Sequence, residues 1–292
     1  MTWQPIVVGA DASAEGALAV TLGWTVAAAA NAPCHVVHGV REAAHPGLGP
    51  GPSEERERFN QQVLEAARRE VADAIGDTVP SQAIEQLHVR LGNPAWVLAR
   101  AVEEKQAGLL VLGGKHHVAP VRWFGGSTVH HAVRTIDVPI LVAAPTDTTF
   151  GKVLVATDLS DVAQPTIQAA VRFAALFGSA MKVLHVVEPL PAIPDVGIEL
   201  DEREHLRLAE EGIRTLLSSA DPLHTAELEV RSGTPARAIA DESDRWEADL
   251  VVVGTHGKGW VDRVLLGSTT ERLLNRLPAP VLVIPSRAPS NQ

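Results

Sequence analysis

Near the end of the chain, GTHGKGWVDRVLLGST (Gly254 to Thr269) places glycines at 254, 257 and 267 and closes on Gly267-Ser268-Thr269. A glycine lets backbone approach a ligand with no Cβ in the way. A helix start offers free N–H groups and the positive end of a dipole to an anion. Ser268 and Glu271 fit the capping pattern S-x-x-E, which predicts a helix starting at Ser268. Lys258 is the lysine of this loop, placed either to neutralise phosphate or simply to be solvated. The bland reading stands beside the chemical one: a strand end at Gly254, a turn at Gly257 and a cap at Ser268. The spacing differs from the G-x-x-x-x-G-K-[ST] phosphate loop.

The first half carries an altered copy, GGKHHVAPVRWFGGST, in which Gly113, Gly126, Ser127 and Thr128 match Gly254, Gly267, Ser268 and Thr269. His116 stands where Gly257 stands, Trp123 adds bulk, and His130 replaces Glu271. A side chain at a position needing positive φ is strained. The second site is therefore expected to hold its ligand better than the first.

Other reactive residue types carry less. His35 and His38, three apart in a strand pattern, point to opposite faces, which suits one metal poorly. The pairs His116-His117 and His130-His131 have no cysteine or aspartate at ligand spacing, so no metal site is expected. Cys34, the sole cysteine, precedes an apolar strand and reads as a small buried hydrophobe. There is no G-x-S-x-G elbow and no catalytic constellation.

The elements that must position these residues come in duplicate. IVVGADAS (Ile6–Ser13) matches VLVATDLS (Val153–Ser160), and VVHGV matches VLHVV, with the same offset between Asp11 and Asp158 as between His38 and His185. VRLGNPA matches VRSGTPA, LLVLGG matches LVVVGT, and VPILVAAP matches APVLVIPS, at a slightly shorter offset. A longer first-half loop at AAHPGLGPGPS absorbs the difference. Two tandem domains are expected, at residues 1–146 and 150–288, joined near PTDTTF. In each, nearly continuous Val, Ile and Leu runs alternate with helical stretches. That predicts an α/β fold with a five-stranded parallel sheet buried on both faces. Asn93-Pro94 and Thr234-Pro235 mark helix starts, and amphipathic helices are expected over 54–75 and 201–217. Ligands of such sheets sit at the carboxyl ends of the strands.

The 292 residues contain 46% apolar residues and carry a net charge of −10. That balance argues against binding nucleic acid or an anionic membrane, which calls for a basic surface. No apolar run reaches the roughly 18 to 20 residues of a membrane span. The stretch MTWQPIVVGADAS lacks the basic start and cleavage site of a secretory leader. With one cysteine and no possible intrachain disulfide, a cytoplasmic setting is expected.

Gly254-x2-Gly257-x9-Gly267-Ser268, with the first-strand Asp-x-Ser, LHVVEP and the closing APVLVIP, resembles the universal stress protein (UspA) family, twice over. The resemblance implies two tandem Rossmann-like domains and ATP binding, with or without Mg, where the glycine motif is kept. It places Asp158 by the adenosine, the Val186 backbone at adenine, and Gly254, Gly257, Lys258, Gly267, Ser268 and Thr269 around ribose and phosphates. The first-domain counterparts are Asp11, Gly39, Gly113, Gly126, Ser127 and Thr128. It also implies pairing of the last strands, Val281–Ile284 with Ile140–Ala143, within one chain, and leaves room for a homodimer. The implied role is a regulatory or stress-response module read out through its adenine nucleotide. Alternatives are a nucleotide-free scaffold and a slow ATP hydrolase. The first-strand turns ADASAEGA and TDLSDVAQ lack the Ser/Gly-rich loop of related adenine-nucleotide enzymes, which favours the binding module.

Overall fold

The computed structural model describes residues 3–41, 54–76, 79–114, 128–145, 149–160, 162–189, 202–218, 226–255 and 266–286. Two compact units meet in sequence between Pro145 and Thr146. The first runs β1 (Ile6–Gly9), α1 (Ala14–Ala30), β2 (Cys34–Val40), α2 (Glu54–Ile75), α3 (Ser81–Glu85), β3 (Leu87–Leu91), α4 (Pro94–Lys105), β4 (Leu109–Gly113), α5 (Thr128–Thr135) and β5 (Ile140–Ala143). The second runs β6 (Lys152–Ala156), α6 (Ala163–Phe177), β7 (Ala180–Val187), α7 (Glu202–Ser218), β8 (Glu227–Ser232), α8 (Pro235–Trp246), β9 (Leu250–Gly254), α9 (Ser268–Arg276) and β10 (Val281–Ile284).

In the first unit β1 pairs in parallel with β2 and β4, β2 with β3, and β4 with β5. The second unit repeats this with β6 between β7 and β9, β8 beyond β7, and β10 beyond β9. The strand order thus reverses at β1/β4 and at β6/β9. Successive crossover helices leave opposite ways at such a point and open a crevice beyond the carboxyl ends of the strands. Asp11 with Gly113, and Asp158 with Gly254, lie at these two crevices.

The apolar runs form the strands because both faces of each sheet are covered. Val8, Leu110, Val111, Leu154, Val155 and Val252 have no exposed surface. Each such side chain contributes about 1.5–3 kcal/mol relative to exposure. In the second unit Phe150 packs on Phe173 and Phe177, with ring centroids 5.0 and 4.7 Å apart, and anchors the entry to β6.

The helix starts follow their caps. Ser13 accepts from Gly16 N at 3.1 Å and starts α1. Asn93 accepts from Ala95 N at 3.0 Å ahead of Pro94. Thr234 holds the cap position of α8 without a side-chain bond, and Pro235 alone fixes that start. The alanine-rich end of α1 exposes Ala28 and Ala29 and buries the Val26–Ala27 face. The short helix α3 has no apolar periodicity to mark it in the sequence; it buries Ala83.

Candidate functional site

A cavity of about 650 Å³ lies at the carboxyl end of the second sheet. Asp158, from the turn after β6, Val186 near the end of β7, Gly254 at the end of β9 and Gly267, Ser268 and Thr269 at the start of α9 all line it. Six of the eight residues singled out in the second half are therefore brought together. Gly257 and Lys258 lie outside the described residues.

Each wall has a local cause. The Asp158 Oδ1 accepts from Ser160 N at 3.0 Å and from the Ser160 hydroxyl, which fixes the carboxylate in a side-chain-closed turn. His185 Nδ1 lies 2.8 Å from the Thr157 carbonyl and holds the β7 end against that of β6. His38 and the Ala10 carbonyl repeat the contact at 2.7 Å in the first unit. Thr270 Oγ1 donates to the Gly254 carbonyl at 2.7 Å, and Gly267 N donates to the Thr255 carbonyl at 2.9 Å, so α9 is pinned to the end of β9.

The start of α9 differs from the capping pattern. Gly267, not Ser268, is the cap residue, and no side chain caps this helix. The chain stays extended through Gly267 because its N–H is drawn to Thr255. Ser268 is thus the first helical residue and cannot reach back as a cap. Glu271 N instead donates to the Gly267 carbonyl at 2.9 Å. The consequence is chemical: first-turn N–H groups have no partner within a helix, and Ser268 and Thr269, which open this helix, line the cavity.

The rest of the lining is mixed, with Thr157, Thr166, His185 and Glu188 beside a run of apolar residues. Leu159, Val162, Leu184 and Ile239 line the cavity, together with His205, Leu208 and Ala209 of α7. Leu208 is 52% exposed. The i, i+3, i+4 spacing of these three α7 residues signals one helix face, but not what that face covers. Among the described lining residues there is no lysine or arginine.

The first unit has a corresponding cavity of about 210 Å³, lined by Asp11, Gly39, Gly113 and Thr128 among others. Gly126, Ser127 and His116 lie outside the described residues. A Cβ on Gly39 would stand 2.7 Å from the Cα of Pro94, and one on Gly113 2.5 Å from the Glu15 carbonyl oxygen. The two glycines let α4 and the start of α1 close down on the strand ends. In the second unit Val186 holds the position of Gly39, and its Cβ is incompatible with so close an approach by Pro235. Ligand pockets usually run from about 300 to 1,000 Å³, so the second cavity falls in that range and the first does not.

Among the described residues no group of three or more His, Cys, Asp or Glu is placed to hold a metal ion. No described helix is long and apolar enough to cross a membrane. Cys34 is buried, and burial pushes its thiol up to about 12.

The sequence model of the universal stress protein family matches residues 2–144 and again 149–285. A universal stress protein of Mycolicibacterium smegmatis is 28% identical over 291 residues, covering 97% of each chain. One from Methanocaldococcus jannaschii is 32% identical over 142 residues, covering 46% of this chain and 82% of its own. Among solved structures, a universal stress protein from Archaeoglobus fulgidus superposes with a TM-score of 0.65 at 20% identity, covering 96% of this chain and 97% of its own. That likeness concerns the fold.

Proposed function

This chain belongs to the universal stress protein family, and from that premise we propose that its second unit is a binding module for an adenine nucleotide, ATP above all. The observation that carries the reading is the 650 Å³ cavity in which Asp158, Val186, Gly254 and the uncapped start of α9 converge. Each part suits a piece of the ligand. The apolar wall of Leu159, Val162 and Leu208 suits a purine face. The extended backbone at the end of β7, beside Val186, offers N–H and C=O groups to a base edge. The Asp158 carboxylate, already oriented by Ser160, accepts hydrogen bonds from ribose hydroxyls or an exocyclic amine. The Ser268 and Thr269 N–H groups, with the α9 dipole, meet phosphate oxygens. Lys258, assigned to the phosphates by the family resemblance, lies outside the described residues.

In this reading Asp158 belongs to the adenosine end and not to the phosphate end, which favours a nucleotide held as a signal over one that is turned over. The first unit is read as nucleotide-free, favoured by its 210 Å³ cavity. The decisive experiment is to denature the purified protein, identify any released nucleotide, and titrate the stripped protein with Mg-ATP by calorimetry. One adenine nucleotide per chain supports the reading. No released nucleotide and no heat of binding would leave a nucleotide-free scaffold.

A further inference from the structure

Two histidines outside the cavity stand where the second unit has an ion pair. In the β2–β3 ladder Val37 is registered with His88, and His35 lies two residues earlier on the same face. The rings are 6.2 Å apart, tilted by 43°. His35 Nδ1 and His88 Nε2 are buried and find no hydrogen-bond partner among the described residues. The Gln86 side chain engages the His35 ring.

The charges that reach this pair are cations. Lys105, at the end of α4, acts on both rings; Arg90 of β3 and Arg68 of α2 act on His88. The α4 carboxylate at hand, Glu104, is bound to Arg90 at 2.7 Å and to Arg100 at 2.8 Å. Glu65, Glu70, Asp73 and Arg69 of α2 and Glu85 of α3 are exposed, and α1 carries a single charged residue, Glu15, near its opposite end.

At the matching positions of the second unit stand Lys182 for His35 and Glu229 for His88, 3.7 Å apart. Lys182 is 3% exposed and also meets Glu242 at 2.9 Å and Glu227 at 3.0 Å. The same place in the fold is thus built once with neutral imidazoles among cations and once with a satisfied ion cluster.

We infer that the His35–His88 pair makes the first unit acid-sensitive: its β2–β3 edge loosens on acidification while the β7–β8 edge of the second unit stays closed. Burial first, then Lys105, holds both imidazoles below their ordinary value of 6.5. The unfolded chain therefore takes up these protons first, and the stability of the neutral pair, full above about 6.5, is lost as pH falls below it. In the second unit burial opposes ionisation of Glu242, but its hydrogen bonds to Lys182 and Arg245 outweigh this and hold the carboxyl below its ordinary value. That cluster weakens only as pH falls below the ordinary carboxylate range, near 4.5.

Hydrogen exchange of the full chain from pH 8 to pH 5, corrected for the intrinsic rate, tests the inference. Protection in β2 and β3 should fall roughly tenfold per pH unit for each proton taken up on opening, while β7 and β8 hold. His88→Gln should halve the slope, and His35→Lys with His88→Glu, which copies the second unit, should flatten it. An unchanged slope in His88→Gln overturns the inference. So, independently of any variant, would NMR titration of the wild-type protein in which both imidazoles protonate at or above 6.5.

Discussion

At the scale of single residues, Asp158 and Asp11 share one device. Each carboxylate oxygen accepts from the backbone and hydroxyl of the serine two residues on. Their motifs differ little, yet the cavity beside Asp158 is about 650 Å³ and that beside Asp11 about 210 Å³. Removing Asp158 takes away an oriented acceptor, so Asp158→Ala should weaken ATP binding by about 1.5–3 kcal/mol, the range for bonds to charged groups. Asp11→Ala should leave the binding isotherm unchanged, and calorimetry reads both. Cys34 makes a second prediction. With its thiol pushed up to about 12, the thiolate fraction at pH 8 is on the order of one in ten thousand. Ellman's reagent should label the native protein only as fast as it unfolds, and a rapid stoichiometric reaction would contradict this burial.

At the scale of elements, the start of α9 and the packing of α8 each decide something. Since no side chain caps α9, Ser268→Ala should change unfolding stability by less than the roughly 1 kcal/mol typical of a lost cap. Its effect should instead appear in ATP affinity. A large drop in stability with unchanged affinity would restore Ser268 to a capping role. The inner face of α8 carries Glu242, with no exposed surface, between Lys182 at 2.9 Å and Arg245 at 2.8 Å. Removing one partner of a buried pair strands the others. Glu242→Ala should therefore destabilise the second unit by about 3–5 kcal/mol, seen as an earlier transition in urea.

For the whole molecule, the duplicated chain has one larger and one smaller crevice among its described residues. The expected stoichiometry is one nucleotide per chain, measured after stripping and reloading; two equivalent sites would refute the close approach of Pro94 argued for Gly39. The sequence by itself determined the repeat, the ten strand segments and most helix starts, while the grouping of Asp158 and Val186 with Gly254 and Thr269 was what the family resemblance implied. The first three are legible because apolar runs and proline or asparagine caps act over a few residues, and because two copies of a pattern reinforce each other. Only the tertiary structure decided which crevice is the larger. That depends on how near Pro94 comes to Gly39, a helix-to-sheet distance absent from local spacing. It moved the cap of α9 to Gly267, because the Thr255 carbonyl, brought alongside by β9, takes that residue's N–H. It also joined Lys182 to Glu242 and His35 to His88, partners far apart in the chain that only a sheet and its covering helices bring into contact.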